Sequence, residues 1–235
     1  DRARARRHFR DLLSDVQRPT PLGESRATGE PAPDVERRVR HPLHPDLSRR
    51  LRVFTRSQGV TLATLAAAGW ALTLRWVSGE DAPVFGLTTA GRPAELPELR
   101  ATVGLFINTL PARVRVPRDT RVIDWLRSVQ ESIAEHRRHE HLPLVEAERA
   151  SGVTPGRSLF DSILVVEMTA AEEDSSSPLR FEPIASESRL NYPVVVTVHA
   201  QGASHVLELL VHPDRVGPAQ ARQLASCLAS VIEQL

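Results

Sequence analysis

The stretch "TLATLAAAGWALTLRWVSG", Thr61 to Gly79, is the strongest constraint on the fold. Thr61 is placed to cap a helix and Gly79 to end it. Between them Leu62, Leu65, Trp70, Leu74 and Val77 fall on more than one face. A helix that is apolar almost all round is buried on several sides. Such a helix needs further elements around it.

The rest of the chain supplies them. "PDLSRRLRVFTRSQG" places Leu47, Leu51 and Phe54 at helical spacing, with Gly59 as its stop. "HFRDLLSDV" reads as a short helix with Phe9, Leu12, Leu13 and Val16 on one face. "DTRVIDWLRSVQESIAEHRRH" repeats Val122, Leu126, Val129 and Ile133, Pro143 interrupts it, and "LPLVEAERASG" follows as a second short helix. "APVFGLTTAG" and "DSILVVEM" are short buried-type strands, and "VERRVRH" alternates weakly enough for an edge strand. "YPVVVTVHA" and "HVLELLVHP", separated by "QGAS", predict a hairpin, and "GPAQARQLASCLASVIEQL" predicts a last helix. Strands interleaved with helices predict an α/β fold with a layered β-sheet and flanking helices, and the hairpin makes the sheet mixed. At 235 residues the chain suits one large globular unit, residues 1–235 taken as a single domain. It opens without methionine, in what reads as the middle of a helix, so a piece of a longer protein is expected.

"ATVGLFINTLPARVRV", Ala101 to Val116, poses the functional question. An apolar run holds Asn108, then closes as a strand with Val114 and Val116 on one face and Arg113 and Arg115 on the other. Pro111 suits an edge strand or a strand start. The asparagine is either an amide that caps a loop backbone or part of one wall of a substrate channel.

Composition excludes more than it assigns. The net charge is +1, so no basic field points to nucleic acid, and all 30 basic residues are arginine. One cysteine, Cys227, excludes a disulfide framework and predicts a reducing cytoplasm. It sits in a helical pattern with Leu224, Leu228 and Val231, the setting of a core thiol rather than a nucleophile. No apolar run reaches the ~20 residues of a membrane span. No Gly-x-Ser-x-Gly, Gly-x-Gly-x-x-Gly or Walker motif occurs. His136 and His139 in "HRRHEH" could share a helix face as a zinc pair. Pro143 nearby and the charges of Arg137 and Arg138 argue against it, so no metal is predicted. "HPLH", with His41 and His44, is a weaker pair still. Glu172, Glu173 and Asp174 read as a solvated acidic segment.

Five short motifs, in order, carry a resemblance. They are "GLTTAGRP" (Gly86–Pro93), "VGLFINTLPAR" (Val103–Arg113), "HEHLPLVEAERASG" from His139, "GRSLFDSILVVE" from Gly156, and "NYPVVVTV" from Asn191. Together they resemble the C-terminal lobe of a nonribosomal peptide synthetase condensation domain. The resemblance implies a chloramphenicol acetyltransferase-like lobe, residues 92–104 as a floor-type loop and 169–190 as a latch-type crossover segment. It implies amide-bond formation between substrates on the phosphopantetheine of carrier proteins, with no cofactor bound by the chain. It implies an N-terminal lobe, peptidyl carrier proteins and an adjacent adenylation domain as partners, and neither nucleic acid nor membrane. Thr88, Ala90, Gly91, Arg92, Gly104, Phe106 and Asn108 would line the tunnel.

Two departures matter. Ala90 stands where the family has serine. The family's His-His-x-x-x-Asp-Gly belongs to the other lobe and is absent here; no two histidines are adjacent. No catalytic residue is therefore assigned, and the chain is expected to be inactive alone. A noncatalytic docking lobe, an epimerisation domain of the same fold and an acyltransferase using another residue are the alternatives. Unpaired latch residues and a bare Leu105–Ile107 stretch would favour self-association.

Overall fold

The computed structural model describes residues 2–22, 38–91, 101–154, 158–169 and 191–235. Arg92, residues 92–100 of the floor-type loop, residues 170–190 of the latch-type segment and the acidic group at Glu172–Asp174 lie outside them. The order is α1 (Arg2–Leu13), β1 (Arg38–Pro42), α2 (Pro45–Gln58), α3 (Leu62–Ser78), β2 (Val84–Thr89), β3 (Asn108–Arg113), α4 (Val122–Arg137), α5 (Leu144–Arg149), β4 (Ser162–Thr169), β5 (Val194–Gln201), β6 (Ser204–Val211) and α6 (Pro218–Gln234).

Local chemistry fixes the helix ends. Gly59 and Gly79 close α2 and α3 with φ of 67° and 74°, where a side chain is strained. Thr61 starts α3 by accepting from the Thr64 N–H. His44 starts α2, its Nδ1 accepting from the Asp46 N–H, so the His41–His44 spacing serves a cap and not a metal. From α4, Gln130 donates to the Gly59 carbonyl at 2.9 Å and accepts from the Thr61 N–H at 2.8 Å. One side chain thereby locks the α2–α3 corner.

The strand order is β1-β6-β5-β4-β2-β3. The β2–β4 and β4–β5 pairs are parallel and the other three antiparallel, which makes the sheet mixed, as the sequence implies. The expected hairpin turns tightly, with Gln201 opposite Ser204. Neighbouring strand residues feed different cores, as the two-residue period requires. Phe85 and Leu164 join Val196, Leu207 and Leu209 beneath α3 and α6. Val84 and Ile163 join Phe9, Leu13, Leu142, Leu159 and Phe160. Trp70 lies wholly within the first core, its Nε1–H donating to Ser162 Oγ at 3.1 Å.

Several local readings are corrected. α1 begins at Arg2, ahead of the helix read from His8, and ends at Leu13; Val16 is buried beyond its end. Val122 is exposed, because the first turn of α4 overhangs the core and Trp125 takes its place on the buried stripe. Cys227 is half-buried rather than core. Burial raises its thiol pKa and a hydrogen bond with Thr73 opposes that, so the thiol stays protonated. No single helix among the described residues is long and apolar enough to cross a membrane.

β3 forms the sheet edge that Pro111 requires. Pro111 lies opposite Gly86, and a Cβ on Gly86 would meet Phe160 Cε2 at 2.5 Å and Thr109 Cγ2 at 2.7 Å. Phe160 is fully buried and has no room to retreat. Gly86→Ala is expected to lower stability by about 1–3 kcal/mol, read as a fall in the denaturation midpoint at unchanged slope. An unchanged midpoint would show that the β2–β3 layer repacks freely.

Candidate functional site

The residues read as a tunnel wall come from two strand ends that pairing brings together. Thr88 lies opposite Thr109, and Thr89 opposite Asn108. Thr88 is half-buried, Ala90 exposed and Gly91 half-buried. Gly91 adopts φ of 62°, and a Cβ there would overlap the Phe106 carbonyl oxygen. Only glycine lets "TTAG" and "LFIN" run this close. Phe106 is half-buried, and Gly104 is exposed with the Phe106 ring beside it. Thr88, Ala90, Gly91, Gly104, Phe106 and Asn108 thus belong to one rim of the sheet; Arg92 lies outside the described residues.

The flanking apolar residues do not pack inward. Val103, Leu105 and Ile107 are 99%, 91% and 64% exposed. The run that reads as buried is therefore an exposed apolar ridge, with the half-buried Phe106 inside it. Contiguous exposed apolar surface, unlike scattered single residues, suits contact with a partner or ligand.

Asn108 is anchored. Its Nδ2 donates to the carbonyls of Glu140 and Leu142, both at 2.8 Å, and its Oδ1 accepts from the Thr109 N–H at 2.9 Å. Both amide protons are spent on the connection between α4 and α5. One lone pair of Oδ1 remains for anything else. Of the two readings of the sequence, the backbone-capping one describes these bonds.

The same connection seals the β3 edge. His136, buried on α4, has Nε2 2.9 Å from the Pro111 carbonyl and Nδ1 2.8 Å from the Ser132 carbonyl. Burial lowers its pKa, and the two carbonyls oppose that shift. With both nitrogens engaged, His136 cannot pair with His139 around a metal. His139 meets instead a residue to which no sequence motif points. Its ring lies 4.7 Å from that of His8 on α1, centroid to centroid. Burial, followed by the like charges of His136 and His139, lowers His8 to about 4. Burial also lowers His139, while hydrogen bonding from Arg138 holds Glu135 below its ordinary value. At neutral pH the group is two neutral imidazoles beside one carboxylate.

The sequence matches a known family. Its condensation-domain model covers residues 3–235. The chain belongs to the condensation-domain family. One of the linear gramicidin synthase proteins of Brevibacillus parabrevis is 38% identical over 98% of the chain, which spans 4% of that relative. Among solved structures, the condensation domain from monacolin K polyketide synthase is similar with a TM-score of 0.77 at 19% identity, covering 99% of this chain and 56% of that one. The X-domain in a complex with OxyB from teicoplanin biosynthesis reaches 0.79 at 22% identity, covering 98% and 52%. This condensation-domain chain thus spans a few per cent of the curated relative and about half of each of these solved chains.

Replacing Asn108 with alanine removes two part-buried donor bonds and leaves the Glu140 and Leu142 carbonyls to find other partners. Asn108→Ala is expected to cost about 1–3 kcal/mol, or several degrees in Tm. Amide exchange should rise at residues whose order depends on the 138–142 turn. Unchanged stability with slowed condensation in a complete enzyme would reassign the amide to substrate.

Proposed function

We propose that this chain is the C-terminal half of a nonribosomal peptide synthetase condensation domain and supplies one wall of the tunnel in which an amide bond forms. The family match across residues 3–235 carries this reading. The coverage of about half of each similar solved chain agrees with it. The acceptor amine on one carrier's phosphopantetheine attacks the donor thioester on the other. The amide C–N bond forms, the C–S bond breaks, and the donor carrier leaves as its thiol.

The β2–β3 rim is the part proposed to face that tunnel. Thr88, Ala90, Gly91, Arg92, Gly104, Phe106 and Asn108 shape it. Asn108 works from behind, holding the strand start against the α4–α5 connection. Such anchoring matters because a small misplacement of a positioning wall costs rate steeply. Val103, Leu105 and Ile107 are assigned to contact with the N-terminal lobe or the bound chains. The 92–104 segment is proposed as the floor and 169–190 as the latch to that lobe. Further partners are peptidyl carrier proteins and an adjacent adenylation domain, with the cytoplasm as the working compartment. No cofactor is assigned to the chain itself.

The sequence holds no His-His-x-x-x-Asp-Gly. Mixed with loaded donor and acceptor carrier proteins, this chain alone is therefore expected to give no condensed thioester above the uncatalysed level by mass spectrometry. A complementary N-terminal lobe should restore product. Product from the chain alone would overturn the division of labour.

A noncatalytic docking lobe is the second reading, favoured by one observation: a similar X-domain is found in complex with another protein, OxyB. If complementation restores carrier binding without product, that reading replaces the first. The chain alone is also proposed to self-associate through its bare ridge. Light scattering should then show a mass that rises with concentration through the micromolar range; a constant monomer mass would remove the proposal.

A further inference from the structure

α1 and the end of α4 meet over a cluster of rings that the proposed tunnel chemistry does not use. His8 packs against Phe9, His136 and His139, with centroids 5.0, 5.1 and 4.7 Å away. His8 Nε2 is closed off from solvent and has no hydrogen-bond partner. Across from it stands Glu135, one helical turn before His139, with Oε1 3.2 Å from His139 Nε2. One ligand atom from each of His8, Glu135 and His139 lies within 4.8 Å of the others.

We propose that His8, Glu135 and His139 form a binding site for a divalent transition-metal ion, zinc being the best match, that pins α1 to the end of α4. Two imidazoles and a carboxylate suit borderline metals such as zinc and cobalt, and not calcium or magnesium. Ligands bound tetrahedrally at about 2.0–2.1 Å lie about 3.3 Å apart. The Glu135–His139 edge already has that length. The His8 ligand atom, within 4.8 Å of the other two, must draw in to close the third corner. The fourth position is left to water.

The surroundings serve and oppose the site in identifiable ways. Arg138 donates to Glu135 Oε2 at 2.6 Å and leaves Oε1 facing the imidazoles. Orientation of a ligating carboxylate from behind is common at metal centres. Arg4 stands 3.7 Å from Oε1 and must swing away; its side chain is 68% exposed and free to do so. These two guanidiniums reduce the attraction for a cation. Without metal, the His139 Nε2–H donates to Glu135, so coordination through Nε2 moves that proton to Nδ1, and binding weakens as pH falls and the imidazoles take up protons.

Cobalt decides the matter, because its visible d–d absorption reports four-coordination directly. The full chain, stripped with chelator and desalted, is titrated with cobalt(II) at pH 7.5. One equivalent is expected to bind with the intense bands of a tetrahedral site and to be displaced by zinc. His8→Phe keeps a ring in the cluster and should abolish the bands. Glu135→Gln should weaken binding about tenfold or more. His141→Gln, next to the site but outside it, should change nothing. Zinc should raise the Tm of the native chain and leave that of His8→Phe unmoved. No tetrahedral bands on the native chain, or bands that survive both ligand variants, would overturn the proposal. If His8→Phe melts lower without metal, Glu135→Gln, which alters a partly exposed carboxylate, decides alone.

Discussion

The fold depends on the burial of α3. Ten of its seventeen residues are buried, and Trp76 near its end is exposed. Ala66, Ala67, Ala68 and Gly69 form a narrow stretch that is almost wholly enclosed. At Gly69 a Cβ would stand 3.0 Å from Ile232 Cγ1, so the small residues let α6 lie directly against α3. Trp70 fills the space toward the sheet and bonds Ser162 on β4. The helix is thus clamped between α6 and the strands, and the α2–α3 corner is set by Gln130 from α4.

That arrangement explains which parts of the fold are legible in the sequence. Caps and stops are local: Thr61, Gly59 and Gly79 act within one turn, so their roles follow from spacing alone. Strand alternation and the hairpin are local too. Pro111 can be placed on an edge because it lacks the N–H that a central strand needs. Val122 is misplaced by its spacing because the helical period does not report where a helix overhangs its support.

The site is legible in part for the same reason. "GLTTAGRP" and "VGLFINTL" are motif-rich segments, and β2–β3 pairing brings the described ends of both together. The bonds of Asn108 to Glu140 and Leu142 are not legible, since nothing local distinguishes a cap from a ligand contact. The meeting of His8 with His139 is invisible as well. It is made by the packing of α1 on the end of α4, elements far apart in the chain. The "HRRHEH" spacing points to His136, whose nitrogens the backbone of Pro111 and Ser132 occupies.

The far edge of the sheet sets a schedule for folding. Among the described residues β1 has one strand neighbour, β6, with Arg38 opposite Leu210 and Pro42 opposite Val206. The first of the described strands therefore waits for the last of them. Contacts between such distant residues close late and slowly, because the loop entropy is lost before the pairing returns it. During translation the nascent chain can build α2 and α3, but it cannot dock β1 until β6 has emerged. For that interval the Arg38–Pro42 segment has no ladder, and its arginines at 38 and 40, which later neutralise Glu208, keep an unpaired strand hydrated and apart from its neighbours on a polysome.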